Sequence, residues 1–193
     1  MRTWMFAPAF ALLAMSAQAA DYTIDPEHTR VTFEISHFGF STFRGQFSQA
    51  SGRVAYDPAG KTGSVEVAFP VASASTLHED LDKHLQTADF FDAASHPNVT
   101  FRSRAMNFEG EKLKSVDGDL TMRGKTRPVR LTVTAVNCGA HPIRKVPVCG
   151  ADAEVKLKRS EFGVSGYVPA IGDEVRLLVS VEAHGKAKAG GQQ

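Results

Sequence analysis

From Val31 onward the chain alternates apolar and polar positions. Val31, Phe33 and Ile35 are separated by Thr32 and Glu34, and Val65, Val67 and Phe69 by Glu66 and Ala68. Val129, Leu131, Val133 and Ala135 oppose Arg130, Thr132 and Thr134, while Ala153, Val155 and Leu157 oppose Glu154 and Lys156. Val175, Leu177, Val179 and Val181 repeat the scheme. A period of two is that of a strand with one apolar face. Val99 to Met106 and Val116 to Met122 are predicted as two further strands. Phe43 to Tyr56 is an eighth, with a change of phase between Phe47 and Val54 that calls for a bulge or bend. Turn chemistry separates these runs at Asp57-Pro58-Ala59-Gly60, Glu109-Gly110, Arg123-Gly124-Lys125 and Gly172-Asp173.

One segment departs from the rhythm. Leu77, Leu81 and Leu85 recur every four residues, which predicts a short helix over Ser75 to Leu85 with Ser75 or Thr76 as N-cap. It is inserted between the third and fourth strands. The expected fold is therefore all-β, an eight-stranded antiparallel up-and-down barrel with one inserted helix. A two-sheet sandwich is the rival. Small inward positions such as Gly118, Ala135 and Ala153 lean towards a lined cavity, although a packed core gives the same alternation.

The N-terminus changes the picture of where the protein works. Arg2, the apolar run Trp4 to Met15 and the small residues Ala17 and Ala19 form the pattern of a secretory signal peptide cleaved after Ala19. That run is short of the about 20 apolar residues that cross a bilayer. Removing 1–19 leaves 174 residues with 21 basic and 21 acidic side chains, one balanced domain spanning 20–184. Such balance argues against nucleic acid as a partner. The tail 185–193 is expected to fray. In an oxidising compartment Cys138 and Cys149 read as a structural disulfide. A metal pair or a redox pair is the alternative, and the spacing favours neither.

Motifs for catalysis are scarce. Gly163-Val164-Ser165-Gly166 lacks the spacing of a nucleophile elbow, and His78, Glu79 and His84 lack that of a zinc helix. The seven histidines are dispersed, so no metal is expected. His84 borders the apolar face of the helix, with Asp80 and Asp82 nearby in sequence, and a His–carboxylate pair there would bind a polar head group or simply hold the helix.

An ordered set of motifs runs from Tyr22 to Glu182. It includes Tyr22-Thr23-Ile24-Asp25-Pro26-Glu27-His28-Thr29, Asp82-Lys83-His84-Leu85, Asp89-Phe90-Phe91-Asp92, His96-Pro97-Asn98-Val99-Thr100-Phe101 and Arg159-Ser160-Glu161-Phe162-Gly163. In these the chain resembles the YceI-like family of polyisoprenoid-binding, lipocalin-like periplasmic proteins. Asn137-Cys138 and Val148-Cys149-Gly150 resemble a disulfide-bearing subgroup similar to quinone-binding members. The resemblance implies a periplasmic protein that holds a polyprenyl chain, such as a polyprenyl quinone, or a fatty ligand, for carriage, storage or sensing. No other cofactor is implied, no catalysis is expected, and homodimerisation is left open. Many relatives carry Arg where this chain has Leu81, which implies a neutral head group here.

On this reading Val31, Phe33, Ile35, Phe69, Phe101, Leu131, Val133, Val155, Leu177 and Val179 are expected to form the wall. Phe38, Phe40, Phe43, Phe90 and Phe91 would line or gate the mouth, and His37, Asp82 and His84 are the head-group candidates. Two rivals remain: an enzyme acting on the same lipid with His84 and Asp82 as acid and base, and an interaction module with a packed core.

Overall fold

The computed structural model describes residues 19–185. The leader expected over 1–19 and the tail expected over 185–193 lie outside these residues apart from Ala19 and Gly185, and Gly185 ends the last strand. The strands are β1 (Ala20–Ile24), β2 (Arg30–His37), β3 (Ser41–Phe47), β4 (Ser51–Asp57) and β5 (Thr62–Pro70), then β6 (Asn98–Glu109), β7 (Lys112–Met122), β8 (Lys125–Ala140), β9 (Pro147–Lys158) and β10 (Ile171–Gly185). The helix α1 spans Glu79–Leu85, and single 3₁₀ turns follow β5 and β9.

These segments make a closed eight-stranded antiparallel barrel, because β1 with β2 and β3 with β4 each count as one interrupted strand. β1 pairs with β4, and β2 with β3. From β4 the ladder proceeds in sequence order to β10. β10 then closes the ring twice: its N-terminal part pairs with β2 and its last residues with β1. Closure leaves most backbone groups paired and few open edges.

Both interruptions have local causes. Between β1 and β2, Asp25–Thr29 turn away from the ladder. There the Glu182 N–H donates to Thr29 Oγ1 at 3.1 Å and the Asp25 N–H donates to the Glu182 carbonyl at 2.9 Å. Between β3 and β4 lie Ser48 to Ala50, where the expected change of phase falls. Gly52 follows at φ +148°, and a Cβ there would sit 2.0 Å from the Glu66 carbonyl oxygen, so β4 approaches β5 this closely only with glycine.

Alternation holds on most strands and fails at one informative place. Val175, Leu177, Val179, Val181 and Ala183 all point into the barrel, whereas Arg176 points out and pairs with Glu34 and Glu154 on the neighbouring strands. On β8 the register against β9 shifts between Val133 and Ala135. That bulge turns Ala135 off the inner face and puts Val136 there instead, which a strict period of two misplaces. Gly118 also serves differently from the expectation. A Cβ on it would lie 2.4 Å from the Phe101 ring, so the missing side chain seats an aromatic and adds no open space.

The insert between β5 and β6 packs one end of the barrel. Phe90, Phe101, Leu120, Met122, Phe162 and Val164 form one buried cluster, and Ile24, Phe47, Phe69 and Ala74 a second, with Leu85 and Phe91 touching both. Helix α1 is shorter than its leucine spacing implied. His78 is the N-cap, and its Nδ1 accepts from the Leu81 N–H at 3.4 Å. Leu77 lies before the helix at φ +63° and is 96% exposed. Thr76 is drawn elsewhere: its N–H and Oγ1–H donate to Asp82 Oδ1 at 2.6 and 2.7 Å, which pins the start of the insert to the helix. Arg123, in the β7–β8 turn, donates to the Gly163 and Ala88 carbonyls and ties the insert to the barrel rim. At the opposite end the Cys138–Cys149 disulfide links directly paired residues of β8 and β9.

Candidate functional site

The inner faces of the strands enclose a cavity of about 660 Å³. Its wall residues are only half-buried: Val31, Phe33, Val133, Val155, Leu177 and Val179 lie against the cavity and do not fill it. The volume falls within the range of small-molecule pockets, about 300–1,000 Å³. Along β10 the lining runs from Val175 to Ala183, about 26 Å at about 3.3 Å per residue. The lining residues that are exposed to solvent, Phe38, Asp80, Thr100 and Tyr167, all belong to the α1 end, so the cavity opens there.

Nearly every residue named from the sequence lines this space, including His37, Phe43, His84, Phe90 and Phe91 at the mouth and Ile35, Phe69, Phe101 and Leu131 along the wall. Two do not. Phe40 is 91% exposed on the turn after β2 and stays outside the cavity. Asp82 is outside as well, since its Oδ1 is held by Thr76. His84 and Asp82 therefore do not meet as an acid and base facing the cavity. The packed-core alternative also fails, because the two buried clusters leave the long apolar space beside them.

Sequence reasoning missed several lining groups. Thr76, Asp80 and Leu81 come from the insert, whose helix begins later than its leucines suggest. Tyr167 lies in the loop before β10, where no periodicity exists to read. That loop is built by Arg159, which is 5% exposed. Its guanidinium donates to the carbonyls of Gly172 (2.8 Å), Val164 (2.9 Å), Gly166 (2.8 Å) and Ile171 (3.1 Å). Burial holds the Arg159 pKa below its ordinary value, and nearby Asp173 partly offsets this. Asp173 in turn accepts from the Ser160 N–H and Oγ–H at 2.9 and 2.8 Å, and these bonds hold its carboxyl below the usual range.

The electrostatics of the mouth follow. Arg159 borders the cavity, but its donors are engaged by backbone, so no free cation is aimed inward among the described lining residues. His84 stacks edge-on to Phe90 at 5.0 Å and lies 6.2 Å from the Tyr167 ring. Its Nε2 is buried and has no hydrogen-bond partner. A buried polar atom left this way carries a desolvation cost that a ligand's polar group would relieve.

Outside the barrel, Asp25, His28 and Glu182 bring ligand-type atoms within 4.8 Å of one another. Here His28 Nδ1 and Asp25 Oδ2 lie 2.9 Å apart, a contact that closes the turn between β1 and β2. No helix among the described residues is long and apolar enough to cross a membrane. The outer face carries ion pairs such as Arg130–Asp117 and Arg102–Glu66, the reverse of the apolar outer band of a membrane-spanning barrel.

An antiparallel barrel closed around an internal apolar cavity belongs to the lipocalin-like class of folds. The particular family follows from comparison: the YceI-like domain matches residues 22–183, and this chain belongs to that family. It is 36% identical over 172 residues to the UPF0312 protein of Azotobacter vinelandii, covering 88% of this chain and 89% of that one. Protein YceI of Escherichia coli O157:H7 is 37% identical with the same coverage. Burkholderia cenocepacia BcnA shares the fold at a TM-score of 0.70 and 28% identity, over 83% of this chain and 99% of that structure. A polyisoprenoid binding domain from Saccharophagus degradans, implicated in plant cell wall breakdown, aligns at a TM-score of 0.63 and 13% identity, over 88% and 100% of the two chains.

Proposed function

We propose that this protein is a periplasmic carrier, store or sensor that holds a long apolar lipid of the polyprenyl quinone kind and does no chemistry on it. The observation that carries this reading is the half-buried apolar wall. Residues such as Val133, Val155 and Leu177 face a long cavity instead of one another. Each CH₂ buried there contributes about 0.8 kcal/mol, so a tail of a few isoprene units supplies tight binding after ordering costs. The polyisoprenoid-binding neighbour with the same fold supports this ligand class.

A neutral head group fits the mouth. Among the described lining residues a phosphate would meet no free cation, because Arg159 is occupied, and it would meet Asp80. A quinone carbonyl or a hydroxyl would instead partner His84 Nε2. The leader pattern at 1–19 supports export to the compartment where such a lipid needs a soluble holder.

Native mass spectrometry of protein purified from its own host without added lipid tests the reading. The expected spectrum contains an added mass that organic extraction removes and identifies as a prenyl lipid. Leu177→Arg places a charge on the wall and is expected to abolish that mass while circular dichroism still reports the barrel. Protein that always runs at its bare mass, and shows no thermal shift with a polyprenyl quinone at high micromolar concentration, would overturn the proposal.

A further inference from the structure

We infer that the rim of the cavity is a membrane-docking surface, which seats the open end of the barrel on a lipid bilayer so that the ligand passes between the two without crossing water. This rests on the lipid-holding reading and adds the route by which the lipid arrives. Three loops form the apolar part of the rim: Phe38 to Phe40 after β2, Ala74 to Leu77 before α1, and Gly163 to Ala170 before β10; α1 with Asp80 and the β7–β8 turn with Arg123 complete it. The three loops are held in place. The Phe38 N–H donates to the Ala170 carbonyl at 2.9 Å, and Ser75 exchanges two 2.8 Å backbone hydrogen bonds with Gln46 of β3.

None of the three loops contains a charged residue, in a chain of which 22% is charged. Among the described residues they carry most of the large exposed apolar side chains: Leu77 at 96%, Phe40 at 91%, Tyr167 at 64%, Phe38 at 55% and Val168 at 37%. Phe38 and Tyr167 also line the cavity, and Thr76 and Asp80 on either side of Leu77 do so too, so the patch continues directly into the opening. An isolated exposed leucine needs no explanation; a contiguous set around an opening does.

The backbone points the same way. Phe38, Leu77 and Tyr167 have φ values of +52°, +63° and +61°. Glycine or asparagine adopts that left-handed region more readily, and a bulky side chain there is an outlier. Turn chemistry alone therefore does not account for Phe, Leu and Tyr at these places. Aromatic and aliphatic side chains on uncharged loops suit the boundary between headgroups and acyl chains. The cavity's own chemistry selects the bilayer as the occupant. A prenyl tail leaving through water loses about fourfold in population for each CH₂ exposed, and a mouth sealed on a bilayer avoids that exposure.

Phe40 and Leu77 lie outside the cavity, so their replacement separates docking from holding. The doubly substituted protein Phe40→Ser/Leu77→Asn keeps the fold accessible, since asparagine tolerates the backbone at position 77. Flotation with phosphatidylcholine vesicles is the measurement, using the full secreted chain. Wild-type protein is expected to float with the vesicles at both low and high salt. The double variant is expected to bind at least tenfold less, and to take up a polyprenyl quinone from detergent as the wild type does. Equal flotation of the two proteins would overturn the inference. So would flotation that requires anionic lipid and vanishes in salt, which would assign docking to cations elsewhere, or a homodimer that the variant dissociates while wild type ignores vesicles. Wild type that takes up quinone from detergent yet never floats overturns docking alone. Rim-dependent flotation with no uptake under any condition keeps docking and overturns the lipid reading together with the proposed passage.

Discussion

At the end of the barrel away from α1, β8 and β9 meet in a hairpin tied by Cys138–Cys149, with His141, Arg144 and Lys145 at its tip and Ile143 the lone large exposed apolar residue there among the described residues. At the α1 end no covalent link exists. The loops around the opening are uncharged and apolar, and they are shaped by one buried arginine and by side-chain bonds to backbone. The contrast shows how one wall can serve two needs. The cross-linked end keeps its shape whatever the cavity holds. An end that admits a ligand is assembled from hydrogen bonds that open and close more readily.

Arg159→Leu should give the largest effect on that difference. It leaves four carbonyls around Val164, Gly166, Ile171 and Gly172 without their donor, each worth about 1–3 kcal/mol when buried and unsatisfied. Some regain water, so a loss of about 3–5 kcal/mol in denaturant titration is expected, with amide exchange rising first in 163–172. A loss below about 1 kcal/mol would mean that the loop holds itself.

Replacing both Cys138 and Cys149 by Ser should act on the other end and only on stability. Closing a loop this short is worth about 3 kcal/mol at most in the chain-entropy model. Thermal unfolding should fall accordingly while lipid retention in native mass spectrometry stays unchanged. Loss of lipid in this variant would mean that the far end helps to shape the ligand space, since Cys149 borders it.

Acid should loosen the two ends unequally. The Ser160 N–H and hydroxyl, with Arg159 and Lys158 nearby, lower the pKa of Asp173 below its ordinary 3.8. A carboxyl lowered on folding contributes stability that is present above the unfolded value and is lost as pH falls through the folded one. The Asp25 carboxyl near the other end is lowered too, its burial outweighed by the hydrogen bonds from His28 and the Glu27 N–H together, but there the cross-link holds the ladder. Below pH 4, amide exchange at Ser160 and Gly163 should therefore accelerate before that at Cys138 and Cys149. Uniform acceleration at both ends would contradict this.

The smallest effect is expected from Ile143→Asp. The side chain is 84% exposed and touches neither the cavity nor the rim loops. Stability within about 0.5 kcal/mol of wild type and unchanged vesicle flotation would set it apart from Phe40 and Leu77. A loss of flotation would move docking to the hairpin tip.

The sequence by itself determined the barrel, because a period of two repeated over eight segments leaves each strand one face to bury and a closed sheet buries all of them together. It also determined which residues face inward on β2, β9 and β10, and that Cys138 and Cys149 lie within reach of each other across a hairpin. Local pattern stops where the backbone leaves the ladder. The bulge that swaps Ala135 for Val136 follows from the register β8 must keep against β9, a relation between strands that neither one's pattern contains. Leu77 repeats the spacing of Leu81 and Leu85, yet His78 caps the helix after it and Asp82 takes Thr76, so the leucine is turned out to solvent. Arg159 lies in the 3₁₀ turn after β9 and Tyr167 in the loop that follows, a stretch with no period at all, and their roles arise only when that turn, β10 and α1 converge on one rim. Whether the interior was filled or open was likewise a tertiary decision. Alternation specifies which side chains point inward, while the volume left between them depends on how the closed ring spaces its walls.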